Sequence, residues 1–408
     1  MTNIRPKLRG LDVRPVAVSG RSALLLRDPL QLSEGTVIVP QEVAPLLALS
    51  DGTRDSAALS AALLVHFRLR ADTSLIDRLI TTLDEACLLD NARSREAQAQ
   101  ARAAYRAAPF RPPALTGASY PAEPAALRQL FQRYLDGARH TSDTSPLPAA
   151  GRGLVSPHID YARGGPVYAA VWDQAAEMVQ AADLVILLGT DHYGGPGTLT
   201  LTRQHYATPL GILPTAQDAV TVVADAIGEE AAFDEELHHR SEHAIELAAV
   251  WLHYMRDGQP CEILPILCGS FDHFIQDQAA PETDAAIERL VGVLRGVMAG
   301  RRAVVVAAGD LAHVGPAFGG QPLDPAGAAR LQAADETLIR HMCAGNAEGF
   351  FDAIKQVEDR YNVCGAPPIY LALRLLSPVR GRSVAYAHCP ADEQAASVVS
   401  VCGVVFES

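Results

Sequence analysis

No apolar run in this sequence approaches the ~18 residues of a membrane span; stretches such as Leu184 to Leu188 and Ala303 to Ala308 have the length of buried strands. A membrane role is therefore not expected. A basic stripe is also missing. The net charge is −13, with 14 Lys+Arg against 12 Asp+Glu in residues 1–110 and 20 against 35 in the remainder. Without that electrostatic footprint, nucleic acid is not expected as a partner. Lysine is nearly absent, with only Lys7 and Lys355 among 34 basic residues, which carries no functional reading. The seven cysteines are an odd number scattered along the chain, so they do not read as a disulfide framework, and each is expected as a buried thiol or a reactive ligand. The start, MTNIRPKLRG, is basic with no apolar run behind it, unlike a secretory signal, and a cytoplasmic location is expected. No glycine-rich phosphate loop follows any candidate strand, and no repeat of fixed period occurs.

What is present is a globular composition, 49% apolar and 20% charged over 408 residues, enough for two or three domains. Ser22 to Asp28 and Thr36 to Val39 read as short strands, with Gly35 between them. Pro40 opens a short helix that stops at Asp51-Gly52. Helices are expected at about Ser56 to Phe67 and Ser74 to Cys87, the latter with Leu75, Ile76, Leu79, Ile80, Leu83 and Cys87 on one buried face. Residues 1–90 thus form a small winged-helix-like α+β domain for recognition or docking, 91–109 a helical linker, and 110–408 a larger α/β domain. In that domain a helix at about Glu123 to Leu135 is followed by a polar loop, His140 to Gly151. Apolar strands at Leu154 to Ser156, Leu184 to Leu188, Glu262 to Leu267, Ala303 to Ala308, Ser383 to His388 and Ser397 to Phe406 then alternate with helices such as Pro166 to Gln180. The expected fold is a mainly parallel or mixed sheet covered by helices on both faces.

Three strand ends stop at polar residues that an apolar strand does not need: Ser156-Pro157-His158-Ile159-Asp160-Tyr161, Gly189-Thr190-Asp191-His192-Tyr193 and Gly309-Asp310-Leu311-Ala312-His313. The carboxyl ends of neighbouring parallel strands share one rim, where ligands bind, so His158, His192, Asp310 and His313 are expected to converge. Cys364 stands just ahead of a proline-started helix, where a helix N-terminus favours the thiolate. Imidazoles with a thiolate or carboxylate suit iron(II), copper or zinc. The bland reading of each His is a hydrogen-bonded structural residue, and of Cys364 an inert thiol; the coincidence of three strand ends favours the metal. His239-Arg240-Ser241-Glu242-His243 matches the H-x-x-E-H peptidase pattern, but Ser241 reads as an N-cap that leaves His239 outside the helix, so a zinc hydrolase is only a minor alternative. Glu242, His243 and Glu246 are expected to line the same cleft behind the ligands, as is Asp191.

Gly117-Ala118-Ser119-Tyr120-Pro121, Pro157-His158-Ile159-Asp160-Tyr161 with Gly164-Gly165, Leu188-Gly189-Thr190-Asp191-His192, Glu242-His243-Ala244-Ile245-Glu246, Ile263-Leu264-Pro265-Ile266, Gly309-Asp310-Leu311-Ala312-His313-Val314-Gly315 and Val363-Cys364-Gly365 occur in the order seen in the Memo family. The resemblance covers about Phe110 to Ser408; bacterial members are labelled the B protein of the AmmeMemoRadiSam system. The family resembles class III extradiol dioxygenases, which hold one non-haem iron(II) at the rim of an α/β sheet. That resemblance implies metal-site histidines at His158, His192 and His313, with Cys364 where the dioxygenases have a carboxylate and Asp310 beside them. It implies iron(II) or copper as the metal and a radical SAM protein as a neighbour. The sequence departs from the family pattern at Leu247 to Trp251. The first domain resembles the winged-helix peptide-recognition elements of peptide-modifying enzymes. The expected protein is a dioxygenase-like iron redox enzyme acting on a small molecule or peptide, with His313, Tyr161 and Asp310 near the substrate; the alternative is a non-catalytic carrier of a metal or peptide.

Overall fold

A computed structural model describes residues 4–33, 35–141, 151–276 and 279–407; of the expected polar loop, residues 142–150 lie outside the described residues. The chain divides into two compact units, Met1–Ala107 and Ala108–Ser408.

The first unit holds a three-stranded antiparallel sheet, β1 Asp12–Val18, β2 Arg21–Arg27 and β3 Val37–Pro40, in the order β1-β2-β3. Only β2 and β3 were expected. The first hairpin turns at Ser19-Gly20, both with positive φ (51° and 76°), the two-residue turn that matches strand twist. The run escapes a pattern reading because Pro15 sits in it, tolerated on an edge strand. Helices Ser56–Phe67, Thr73–Glu85 and Ala92–Ala107 follow. Asp55 and Asp72 cap the first two by accepting from Ala58 N and Ser74 N. Leu59, Leu63, Ile76, Ile80 and Leu83 pack on Leu26, Val37 and Val39. Leu75, expected inward, is exposed, because the buried face runs along 76, 80 and 83.

The second unit is α/β. Its strands are β4 Gly153–Ser156, β5 Leu184–Thr190, β6 Leu199–Leu201, β7 Tyr206–Thr208, β8 Gly211–Leu213, β9 Glu262–Cys268, β10 Ala303–Ala308, β11 His313–Val314, β12 Arg380–Pro390 and β13 Val398–Glu407. A mixed eight-stranded sheet runs β11-β13-β4-β10-β5-β9-β6, with β12 also on β13; β7 and β8 pair separately. Strands β4, β10, β5 and β9 are mutually parallel, and β13 and β6 flank them antiparallel. Alternate residues feed two cores. Ile186, Leu188, Val305 and Ala307 meet helices Ala285–Met298 and Ala366–Leu376 on one face, while Val185, Leu187, Val304 and Val306 meet helices Tyr161–Gln174 and His243–Met255 on the other.

The helix expected at Pro166 to Gln180 begins earlier, at Tyr161, because the Asp160 carboxylate accepts from Arg163 N, and it breaks at Ala175 before a short helix Ala176–Ala181. Pro166 therefore lies inside it. No helix among the described residues is long and apolar enough to cross a membrane.

Candidate metal centre

Parallel pairing aligns the carboxyl ends of β4, β10 and β5, so Ser156 stands opposite Ala308, and Ala308 opposite Gly189. The loops leaving these ends carry His158, Asp310 and His192 to one rim. Two close approaches complete the site. A Cβ on Gly309 would meet Gly365 Cα at 2.7 Å, so two bare backbones touch there and bring Cys364 against the β10 end. A Cβ on Gly189 would meet Ile245 Cγ1 at 2.6 Å, so glycine lets the start of helix His243–Met255 sit beside His192. Thr190 Oγ1 donates to Cys364 O at 2.9 Å, tying the β5 end to the cysteine loop.

His158, His192 and Cys364 form a tight group whose ligand atoms all lie within 4.8 Å of one another. His158 Nδ1 donates to Ala308 O at 3.1 Å, leaving Nε2 to face Cys364 Sγ, 3.2 Å away. That spacing is near the roughly 3.5 Å between two ligands sharing one ion at bond lengths of about 2.0–2.3 Å. His192 Nδ1 donates to the Glu242 carboxylate at 3.1 Å, which likewise frees its Nε2. Both imidazoles thus carry the orienting bond that metal-binding histidines need, and the donor set fits a soft or borderline divalent metal.

The electrostatics agree with the geometry. Burial alone would raise the Cys364 thiol, but the charges of His158 and His313 and hydrogen bonds from His158 and His192 hold it well below the usual thiol range. Burial opposes charging His158, yet Cys364 and Asp310 push it up to about 9. His313 and His192 are raised against the same opposition, by Cys364 and by Glu242 respectively. The cysteine and the histidines thus shift one another in opposite directions, the thiol down and the imidazoles up.

The other expected residues divide. His313 faces Cys364 but stands outside the tight group; its Nδ1 meets Leu311 O at 3.3 Å and its ring packs edge-on to Phe318. Asp310 uses Oδ1 to accept from His158 N (2.8 Å) and Ile159 N (3.3 Å), and its Oδ2 lies 3.8 Å from His158 Nε2. It shapes the His158 turn and leaves one oxygen on the site. His243 stacks on His192 with ring centroids 4.7 Å apart and stands edge-on to His158 at 5.2 Å. Asp191 turns away from the group and accepts from His238 Nδ1 at 2.8 Å, forming with Glu235 a separate set that sequence reasoning missed. Tyr161 does not reach the rim. It is enclosed by Tyr120, Phe131, Tyr168 and Trp251, and its hydroxyl donates to Leu247 O at 2.8 Å. Glu246 faces Arg111 and Tyr120 instead of the histidines.

The H-x-x-E-H pattern comes apart in three dimensions. Glu242, not Ser241, is the N-cap of helix His243–Met255, accepting from His243 N at 2.7 Å and Ala244 N at 3.1 Å. Serine is the better cap by local propensity, but two imidazoles draw the Glu242 carboxylate to this spot. His239 lies in the preceding 3-10 turn, its Nε2 donating to Thr200 O at 2.9 Å and its Nδ1 accepting from Tyr206 at 2.6 Å. It faces neither Glu242 nor His243 within any of the three metal-suited groups found among the described residues.

Burial pushes His239 down to about 3, so it stays neutral in the folded chain. In the unfolded chain it would take up a proton below about 6.5. The contribution of neutral His239 is thus complete above pH 6.5 and is lost as the pH falls toward 3, by roughly 1.4 kcal/mol per pH unit. Denaturant unfolding of wild type and His239→Gln between pH 4 and 7 should show the steeper acid loss in wild type. Parallel pH profiles would refute the assignment.

A family model described as Memo-like protein matches residues 111–405. A MEMO1 family protein of Aquifex aeolicus is 24% identical over 410 aligned residues, spanning 99% of this chain and 100% of the relative. One from Methanopyrus kandleri is 29% identical over 287 residues, 68% of this chain and 91% of its own length. One from Methanococcoides burtonii is 28% identical over 208 residues, covering 51% of this chain and 69% of the relative. Because the family match runs from Arg111 through almost all of β13 and takes in every residue of the rim cluster, the chain belongs to the Memo family.

Proposed function

We propose that the protein is a mononuclear non-haem iron(II) redox enzyme, with His158, His192 and Cys364 as the ligands. The observation that carries this reading is the convergence of His158, His192 and the Cys364 sulfur within 4.8 Å of one another, each imidazole oriented from behind by Ala308 O or Glu242. Two histidines and one anionic ligand leave open positions, the pattern of non-haem iron sites, and bound iron would supply one-electron redox chemistry there. Around it this chain's own groups do the rest. Asp310 holds the His158 turn, and the rings of His243 and His313 border the cluster, where they can hold or move a proton. The substrate class is a small molecule or a peptide. The first unit supports the peptide option, since the helices Ala44–Leu49, Ser56–Phe67 and Thr73–Glu85 packed on a three-stranded sheet fit a winged-helix-like recognition module, and a radical SAM protein is the partner it would serve.

Anaerobic titration of the full chain with Fe(II) should reach one ion per chain, and elemental analysis of protein purified without added metal should find iron. Zinc alone would favour a hydrolase, and copper alone would remove iron from the proposal. A nitrosyl signal after adding nitric oxide would show an open position. Its absence in iron-loaded protein would favour the second reading, a non-catalytic carrier of a metal or peptide in which protein groups fill every coordination position.

A further inference from the structure

Arg111 is fully buried at the beginning of the second unit, 131 positions from Glu242 in sequence. Its fork engages one short stretch of chain at three points. Nε donates to His239 O at 2.7 Å, Nη2 to Glu242 O at 3.1 Å, and Nη1 to the Glu246 carboxylate and to Pro112 O. The guanidinium also lies over the Tyr206 ring, 4.9 Å from its centroid, and Tyr206 in turn holds His239. Glu246 is engaged from the other side by Ala114 N and Leu115 N, both at 2.8 Å, and by the Tyr120 hydroxyl.

A buried ion pair is weak evidence for stability, since desolvating two charges offsets most of their attraction. This one is unusual in where its spare donors go. They fix the carbonyls at 239 and 242, the two ends of the turn that leads into helix His243–Met255. Glu242 is the residue whose carboxylate orients His192 and caps that helix beside His243. A side chain that pins the Glu242 main chain therefore sets the position of His192 Nε2.

We propose that Arg111 is a positioning residue of the metal centre, acting through Glu242 on His192. This rests on the metal reading above. The inference predicts that Arg111 matters to metal affinity only while the Glu242 carboxylate is present.

The test is a double-mutant cycle on the full chain, read by Co(II) affinity and by the thiolate-to-cobalt charge-transfer band. One arm is Arg111→Met/Glu246→Gln, which removes both charges and leaves no unpaired ion in the core. The other is Glu242→Gln. Each arm should weaken Co(II) binding about 10- to 100-fold, the usual cost of removing a group that orients a ligand. Together they should cost no more than Glu242→Gln alone, because Arg111 has nothing left to position. Arg111→Lys, which keeps the charge facing Glu246 but loses the fork, serves if the first arm does not fold, and it should show the same loss. Wild-type affinity in either folded Arg111 variant, or losses that multiply across the cycle, would overturn the assignment and leave Arg111 a packing residue. If wild type itself takes up no cobalt, the metal reading falls, and this inference with it.

Discussion

Cys364→Ser is expected to weaken Fe(II) binding on the order of 100-fold or more and to lower the melting temperature of the metal-free protein, because the favourable charge interaction of Cys364 with His158 and His313 goes with it. A serine hydroxyl stays protonated near neutrality and is a poor ligand where a thiolate was available, so the metal loses its anionic donor. The surroundings limit the loss of stability. The thiol is only partly buried in residue terms, and His158 Nε2 at 3.2 Å and Asp310 O at 3.9 Å stand ready for a hydroxyl. A hydroxyl with partners does not incur the roughly 1–3 kcal/mol of an unsatisfied buried group. An inert structural thiol predicts unchanged affinity. Cys364→Asp should recover part of the affinity, because a carboxylate restores the negative charge. Loss of metal without recovery by Asp would mean that the thiolate itself, and not merely its charge, is required.

The rim residues that follow strand ends are visible in sequence for a physical reason. A fully apolar strand has no use for a polar end, so His158 after β4, His192 after β5 and Asp310 with His313 after β10 stand out against Val305 to Ala308 or Leu184 to Leu188. Parallel strands then share a rim whatever their separation in sequence. What does not show is which neighbour of such a residue faces the site. Tyr161 is three positions from His158, but it begins a helix, and the 3.6-residue period turns it into the aromatic core under Trp251. Glu246 lies one helical turn from Glu242 and is equally placed by spacing alone, yet its partner Arg111 is 135 positions away and cannot be inferred from local pattern. The cap of helix His243–Met255 shows the same limit. Local propensity favours Ser241, and tertiary contacts from His192 and His243 decide for Glu242. In the first unit, β1 is hidden by Pro15, although the Ser19-Gly20 turn was available as a signal.

The double variant His158→Ala/His192→Ala should abolish metal binding at micromolar concentrations. Structural sites with four protein ligands contribute roughly 10–16 kcal/mol, so two ligands are worth about 5 kcal/mol or more, a loss of some 10⁴-fold. The fold should survive at a cost. His158→Ala strands the Ala308 carbonyl that His158 Nδ1 serves, and His192→Ala removes a partner from Glu242, which still accepts from His243 N and Ala244 N. The metal-free variant offers an independent readout. Burial pushes Cys364 up, and two of the groups that hold it down would be gone, with only His313 left of the three imidazoles that act on it. Its thiolate absorbance in the ultraviolet should therefore appear at higher pH than in wild type. Anaerobic titration decides between locations for the ion. The group His192, Glu242 and His243 also loses a ligand in this variant, whereas Asp191, Glu235 and His238 keep all three. Undiminished binding of one ion would therefore move the metal to Asp191, Glu235 and His238 and leave His158 and Cys364 as a hydrogen-bonded pair that holds no metal. Loss of binding together with the displaced thiolate titration would tie the metal and the thiolate to the same rim.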